Sequence, residues 1–173
     1  ARIASEAESA AVTRALGAGG VRASASATLP NCVGCGAGAA IDGDPATAWQ
    51  SPFTDVRGQS LTYDLEAPLT FDRLDLTFFA DGRHSVPRRL RLEVDGAVRE
   101  LTVPESTDQP GENATVTVPL TFEPVTGSRV RVVVDEIRDA MTFNYYANAT
   151  SLLPVGIAEL GIPGLVEPAQ AGE

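Results

Sequence analysis

The fold class is decided by a hairpin pattern, LRLEVDGAVRELTV at residues 90–103. From Leu90 to Val94 leucine or valine alternates with charged residues, and after Asp-Gly at 95–96 the segment Val98–Val103 returns in the same manner. Alternation with a period of two places apolar side chains on one face of a strand, and Asp-Gly is a preferred pair for a two-residue turn. The stretch therefore predicts two antiparallel strands that bury one face.

The same alternation recurs on both sides of this hairpin. Further strands are predicted at Val21–Thr28, Ser60–Leu65, Phe71–Phe79, Thr115–Phe122, Arg129–Ile137 and Val155–Ile162. Helical patterns do not alternate with these strands, which argues against an α/β fold. About eight short strands separated by turn signals predict an all-β sandwich or barrel formed by a single domain.

The two ends of the chain differ from this strand-rich part. Residues 1–20 are alanine-rich and predict a linker or a short helix that stops at glycines 17, 19 and 20. We expect the domain to span residues 21–163 and residues 164–173 to form a tail. The sequence shows neither a signal peptide nor a membrane-spanning run. Because Ala1 is not an initiator methionine, we expect the chain to be a piece of a larger protein.

Charge restricts the class of partner. The formal net charge is -10, from 13 basic and 23 acidic residues. An acidic domain repels phosphate backbones and anionic membranes, so neither nucleic acid nor an anionic lipid surface is expected to bind. All basic residues are arginines, and the abundance of alanine, glycine, valine and proline indicates a GC-rich genome, which predicts an actinobacterial source.

The two cysteines, Cys32 and Cys35, form one CxxC motif. A zinc site would need two more ligands, for which only His84 is available, and a thioredoxin-like site would need the motif at the start of a helix. Here Pro30 and several glycines surround the motif and predict a loop. We therefore favour a local disulfide between Cys32 and Cys35, which predicts an oxidising, extracytoplasmic location.

The loop AAIDGDPATAW at residues 39–49 carries the most specific local chemistry. Two aspartates flank a glycine, a proline fixes the next bend, and a threonine adds a hydroxyl group. Such a loop points several oxygen atoms at one place, as a hard cation such as calcium requires. A turn capped by aspartate side chains without any metal accounts equally well for these residues taken alone.

This loop and three strands resemble the discoidin, or coagulation-factor C-type, domains, which overlap with family 32 carbohydrate-binding modules. AIDGDPATAW at 40–49 is similar to the signature loop of the family. SLTYDL at 60–65, FDRLDL at 71–76 and IAELGI at 157–162 are similar to its next strands and its closing strand. The resemblance covers residues 21–163 and implies a jelly-roll β-sandwich.

Many members of this family hold a structural calcium ion, and the resemblance implies the ligands here. They are the carbonyls of Ala39, Asp44 and Ala158, the carboxylates of Asp42 and Glu159, and the carbonyl and hydroxyl of Thr47. Trp49 is expected to pack in the core beneath the loop. The chain departs from the family where Asp95-Gly96 leads to alanine and valine instead of a tryptophan, and where the Cys32–Cys35 loop replaces a short link.

Two loops carry the groups that sugars require, planar polar groups for hydroxyls and an aromatic face for the C–H side of the ring. The loop at 80–85 holds Arg83 and the only histidine, His84, and the resemblance implies a sugar-binding arginine or histidine there. The loop at 141–148 holds Phe143, Asn144, Tyr145 and Tyr146. The alternatives are a solvated turn for the first loop and core packing of one or two aromatics for the second.

The sequence predicts a binding module and not an enzyme. A Ser-His-Asp triad would have to use His84, and the chain has no Gly-x-Ser-x-Gly motif. LPVGIAELGIPG at 153–164 and DGRHSVPR at 81–88 are similar to modules of the large actinobacterial membrane arabinofuranosyltransferases.

The resemblance therefore implies a non-catalytic module, monomeric as a fragment, that binds a cell-envelope glycan of arabinan or arabinogalactan type. It would be accessory to a membrane glycosyltransferase and face the outside of the cell. A protein- or lipid-docking module and a structural spacer are the alternatives.

Overall fold

A computed structural model describes residues 21–146 and 148–165, and for Asn144 the backbone alone. The predicted N-terminal linker and most of the predicted tail lie outside the described residues. Within these ranges the chain forms one 3-10 turn (Ala37–Ala40) and nine strands: β1 (Arg22–Ala25), β2 (Trp49–Gln50), β3 (Ser60–Phe79), β4 (Val86–Val94), β5 (Ala97–Thr102), β6 (Thr115–Arg138), β7 (Met141–Asn144), β8 (Ala149–Leu152) and β9 (Gly156–Glu159). No helix in the described part of the chain has the length and apolar character needed to span a bilayer.

The strands form two layers because β3 and β6 pass through both. In one layer the first half of β3 pairs with β1 and with the second half of β6, which in turn pairs with β4. In the other layer the second half of β3 pairs with the first half of β6 and with β9. Strand β5 extends the first layer and β2 extends the second, and the main apolar core lies between them. The predicted all-β sandwich is confirmed.

Two long strands replace four predicted short ones. The segments 60–65 and 71–79 are parts of β3, and 115–122 and 129–137 are parts of β6. The turn signals between them, such as Pro68, mark bends and not chain reversals, since the pairing register shifts between Asp64 and Leu69 and again between Phe71 and Arg73.

The predicted hairpin at 90–103 is confirmed. Val94 pairs with Ala97, so Asp95 and Gly96 form a two-residue turn between β4 and β5. Both turn residues have positive φ, 46° and 92°, as a type I′ turn requires. The Asp95 carboxylate also accepts the N–H groups of Ser128 and Arg129 at 3.1 and 3.0 Å, which ties the turn to β6.

The core confirms the expected role of Trp49, which is fully buried together with Tyr63 and Phe78. The indole N–H of Trp49 donates to the Ala27 carbonyl at 3.0 Å, so its polar group is satisfied inside the protein. Leu165 is also buried in this core, beyond the predicted domain end at residue 163.

The outward face of the first layer is held by ion pairs. Glu93 accepts hydrogen bonds from Arg91 at 2.8 Å and from Arg131 at 3.0 Å, and these bonds hold the pKa of its carboxyl below the usual value. Arg91 also reaches Asp135 at 3.1 Å. These partly exposed carboxylates therefore have structural partners across neighbouring strands.

Candidate functional site

The Asp42 loop follows the 3-10 turn and is organised around the Asp42 side chain. Its Oδ1 accepts the N–H of Asp44 at 2.9 Å, and its Oδ2 accepts the hydroxyl of Thr47. The Thr47 hydroxyl also lies 3.1 Å from the Asp44 carbonyl, and Asp44 accepts the N–H of Ala46 at 2.9 Å. These bonds are those of an aspartate-capped turn, and they gather several oxygen atoms on one side of the loop.

Strand β9 closes this loop from the far end of the chain. Glu159 Oε2 accepts the N–H of Gly43 at 2.5 Å, and the N–H of Leu160 donates to the Ala40 carbonyl at 2.8 Å. The three segments that carry the predicted ligands, namely the 3-10 turn with Ala39, the Asp42 loop, and β9 with Ala158 and Glu159, thus lie together.

The Glu159 carboxyl group at this place is shifted toward its neutral form. Burial, followed by the contact with Asp42, raises the pKa of Glu159 to about 8. Two carboxylates in contact need either a shared proton or a cation between them. Among the described residues no group of three or more His, Cys, Asp or Glu side chains is placed to hold a metal. The predicted set has only two such side chains, and its remaining ligands are carbonyl and hydroxyl oxygens, which fit calcium.

The cysteine loop is closed by a disulfide between Cys32 and Cys35, whose Cα atoms lie 5.6 Å apart. Two residues of this loop, Asn31 and Gly34, have positive φ values of 61° and 89°, and Val33 at its tip is fully exposed. Cys35 is buried and its carbonyl accepts the N–H of Gln50 at 3.2 Å. The disulfide loop is therefore attached to β2, the edge strand of the second layer.

The predicted loop at 80–85 is organised around Asp81. Its Oδ1 lies 2.9 Å from His84 Nδ1 and accepts the N–H of Arg83 at 2.9 Å, and its Oδ2 accepts the N–H of Asn113 at 2.8 Å. Burial alone would raise the pKa of Asp81, but the hydrogen bonds from His84 and from the two N–H groups outweigh it and lower that pKa. Arg83 itself is exposed.

His84 itself is largely enclosed, with 9% of its surface exposed. Its Nε2 lies 3.2 Å from the Oε1 of Gln50, and its ring packs on Phe79 with centroids 4.8 Å apart. Both ring nitrogens therefore have partners within the protein. A contact between His84 and a ligand therefore stays a prediction.

The predicted aromatic loop is a hairpin formed by β7 and β8, with its turn at Tyr145 and Tyr146. The rings of Phe143 and Tyr145 touch edge to face, with centroids 4.7 Å apart and planes at 76°. Phe143 is 43% exposed and Tyr145 is 84% exposed. Tyr146 is also exposed, whereas the side chain of Asn144 lies outside the described atoms. The ring pair stands outside the core, as a ligand platform requires.

The bases of the two predicted loops are joined by Ser85. Its N–H donates to the Pro154 carbonyl at 2.9 Å, and its hydroxyl oxygen accepts the N–H of Ala140 at 3.1 Å. Ala140 precedes β7 and also accepts the N–H of Leu153 at 2.7 Å, which closes the hairpin base. The residue after His84 is therefore fixed to the base of the aromatic hairpin.

Sequence reasoning missed Gln50, Asp81 and Ser85. Asp81 and Ser85 flank the residues that were singled out, and the pattern Asp-Gly-x-His is a signal for a carboxylate that orients the histidine. Gln50 carries no such signal, because it meets His84 only through the pairing of β2 with β9, 34 residues away in the chain.

The described chain is a layered sandwich with aromatic and polar groups on its loops. It belongs to the family described as "Arabinofuranosyltransferase D, third carbohydrate binding module", whose model matches residues 18–171, and the chain is thereby a carbohydrate-binding module by family. It is therefore a non-catalytic, carbohydrate-binding accessory domain. None of the curated proteins compared with the chain matches it.

Solved structures share this fold. The family 32 module of C. perfringens NanJ, in complex with galactose, is 21% identical with a TM-score of 0.53, over 82% of this chain and 92% of that one. A chitosan-binding module from Paenibacillus sp. IK-5, in complex with chitotriose, is 18% identical with a TM-score of 0.54, over 82% of this chain and 95% of that one. These two likenesses concern the fold alone.

A third structure has a closer sequence. A variant of arabinofuranosyltransferase AftD from Mycobacteria is 28% identical with a TM-score of 0.52, over 82% of this chain. The match covers only 10% of that chain.

Proposed function

We propose that this domain binds a cell-envelope glycan of arabinan or arabinogalactan type as an accessory part of a membrane glycosyltransferase. The observation that carries the proposal is the exposed ring pair of Phe143 and Tyr145, on a hairpin whose base is hydrogen-bonded to the residue after His84. The family description, which refers to an arabinofuranosyltransferase, supports the choice of glycan.

The ring pair offers the apolar half of a sugar site. One face of a sugar ring carries C–H groups, and contact with an aromatic ring removes that face from water. The edge-to-face contact with Phe143 supports Tyr145, so the tyrosine ring is already oriented before a ligand arrives. Less conformational entropy is then lost on binding.

The polar half comes from the neighbouring loop. The exposed Arg83 carries hydrogen-bond donors for sugar hydroxyls, and His84 is the second predicted contact of this loop. Tyr146 adds a hydroxyl group from the hairpin itself, and Asn144 remains a contact predicted from the sequence. Because hydroxyl groups exchange water for protein partners at little net gain, we expect a weak Kd, about millimolar to tens of micromolar, or roughly −4 to −7 kcal/mol.

A glycan array with arabinan and galactan fragments, run beside liposome sedimentation, tests this function. We expect binding to arabinan-type fragments and no sedimentation with anionic vesicles. Sedimentation without glycan binding would instead support the lipid-docking alternative.

One observation favours that alternative. Met141, Phe143 and Tyr145 expose apolar surface on one hairpin, as loops that dock on lipid or protein do. The net charge of -10 opposes contact with an anionic membrane, so we place this function second. A domain that binds nothing in either arm of the experiment would be a spacer.

We also propose a structural calcium ion in the Asp42 loop. Asp42 and Glu159 would supply the carboxylates, and Ala39, Asp44, Thr47 and Ala158 the carbonyl and hydroxyl oxygens. The support is the contact between two carboxyl groups in an oxygen-rich loop, where a divalent cation would replace the shared proton. The ion would fasten β9 to the loop and would take no part in glycan contact.

The location outside the cytoplasm is part of the same proposal. A disulfide in a four-residue loop persists where the surroundings are oxidising, as on the outer side of an actinobacterial membrane. Thiol counting on the protein isolated from its native cells, with alkylation before lysis, tests this. Two free thiols would contradict it.

A further inference from the structure

Gln50 stands between the disulfide loop and the histidine. Its backbone N–H donates to the Cys35 carbonyl at 3.2 Å, and its side-chain Nε2 lies 3.7 Å from Cys35 Sγ. On the other side, its Oε1 lies 3.2 Å from His84 Nε2. One side chain thus contacts both the disulfide and the predicted sugar loop.

The histidine ring is held from three directions. Asp81 meets Nδ1, the Gln50 amide meets Nε2, and the face of the ring rests on Phe79. If the Gln50 amide is lost, the ring keeps only one of its two polar partners and can turn about its side-chain bonds. Ser85 follows His84 directly and is hydrogen-bonded to Ala140. A displacement of His84 therefore also affects the base of the aromatic hairpin.

The position of Gln50 depends in turn on the disulfide loop. Strand β2 has only two residues and, within the part of the chain that the structure describes, its strand partner is β9 alone, so few backbone bonds fix it. The Cys35 carbonyl supplies one of these bonds, and the N–H of Leu29 donates to the Gln50 carbonyl at 2.8 Å from the same side. A disulfide across so short a loop restricts few unfolded conformations, so its main effect is to fix this local geometry.

We propose that Gln50 is a positioning residue of the glycan site and that the Cys32–Cys35 disulfide holds it against His84. This inference rests on the proposed glycan-binding function. It assigns the disulfide a role in ligand affinity, so that reduction weakens binding while the sandwich stays folded. The side chain of Gln50 would affect glycan affinity indirectly, by positioning His84 and the loop at 80–85.

The single histidine makes the test direct, since its ring nitrogens give one set of signals in a long-range ¹H–¹⁵N NMR spectrum. We compare the parent 173-residue chain with Gln50→Ala, Gln50→Glu and the double variant Cys32→Ser/Cys35→Ser. Val33→Ala, at the exposed tip of the same loop, is the control. Each protein is then titrated with an arabinan oligosaccharide.

We expect the His84 nitrogen signals to shift in Gln50→Ala and in the double cysteine variant, and to stay in place in Val33→Ala. The Kd should rise about three- to tenfold in the first two, as expected for one lost hydrogen bond. Gln50→Glu, which keeps the length and the acceptor, should restore part of the affinity. If Gln50→Ala does not fold, reduction of the parent protein with dithiothreitol, followed in the same spectrum, replaces it.

Unchanged His84 signals in both folded variants would overturn the proposal, as would changed signals with unchanged affinity. A shift in Gln50→Ala without one in the cysteine variant would overturn the role of the disulfide. If the parent binds no glycan, the proposed function fails, and the spectra alone still decide whether the disulfide positions the histidine.

Discussion

Glu159 on β9 lies against Asp42, and burial together with this contact raises the pKa of Glu159 to about 8. The two residues come from opposite ends of the described chain. Whatever lies between their carboxyl groups, a proton or a cation, therefore joins the closing strand to the loop that precedes β2.

Calcium should stabilise this junction. At a concentration one hundred times its Kd, an ion that binds only the folded state adds about 2.7 kcal/mol, or roughly 5–10 °C in Tm for a domain of this size. Asp42→Ala should abolish this gain, as measured by thermal unfolding with and without EDTA.

Asp44→Ala is the matched control, because the predicted ligand at that position is a carbonyl and its carboxylate bonds only within the loop. It should retain the response to calcium. A parent protein whose Tm is the same in calcium and in EDTA would show that the site is metal-free.

The hydrogen bonds of Asp81 should make the stability of the domain depend on pH. The pKa of Asp81 is lower in the folded protein, so its contribution is present above the unfolded value near 3.8 and is lost as pH falls through the lower folded pKa. Asp81→Asn removes the charge from three hydrogen bonds, and we expect a loss of about 1–3 kcal/mol at pH 7.

Urea unfolding at pH 7 and near pH 3 measures this effect. The difference between parent and Asp81→Asn should shrink in acid, while the exposed Asp72→Asn should show little difference at either pH. A difference that is equally large at both values would mean that the Asp81 charge does not contribute.

Much of the fold follows from local sequence physics. The turn at Asp95-Gly96 was predictable because both positions need positive φ and this pair tolerates it. The core positions of β3, β4 and β6 were predictable because period-two alternation is imposed by the strand itself. The joining of four predicted strands into β3 and β6 was not predictable, because a proline or glycine at a bend looks the same in sequence as one at a chain reversal.

The site was predictable in its loops but not in its contacts. The aromatic cluster from Phe143 to Tyr146 is dense enough to be noticed, yet its hairpin depends on pairing with 149–152, which has no alternating pattern. The enclosure of His84 by Gln50 and Phe79 arises only when β2 and β9 come together. Such contacts are set by topology and carry no local signal.

Gly156 gives a test of the support beneath His84. A Cβ atom at this position would collide with the ring of Phe79, on which His84 rests. Gly156→Ala should therefore force Phe79 to move and destabilise the domain by about 1–3 kcal/mol, as overpacking does. Chemical denaturation measures the loss, and the His84 NMR signals report the displacement.

Gly36→Ala is the comparison, since a Cβ at that position meets nothing within 4 Å. It should leave the stability nearly unchanged. Equal stability of the two variants would contradict the packing described for Phe79.

The aromatic hairpin should carry the apolar part of glycan binding. Tyr145→Ala removes the most exposed ring of the Phe143–Tyr145 pair, and affinity should fall at least about tenfold. Tyr145→Phe keeps the ring and should retain most of the affinity. Val98→Ala, an exposed apolar residue on β5, controls for a general loss of surface hydrophobicity.

Calorimetric titration of the parent domain and of Tyr145→Ala with an arabinan oligosaccharide tests the central claim most directly. We predict a parent Kd between millimolar and tens of micromolar and no measurable binding by the variant. A parent that binds neither arabinan nor galactan fragments at millimolar concentration, or a Tyr145→Ala variant that binds as the parent does, would contradict the assignment of this hairpin as the glycan site.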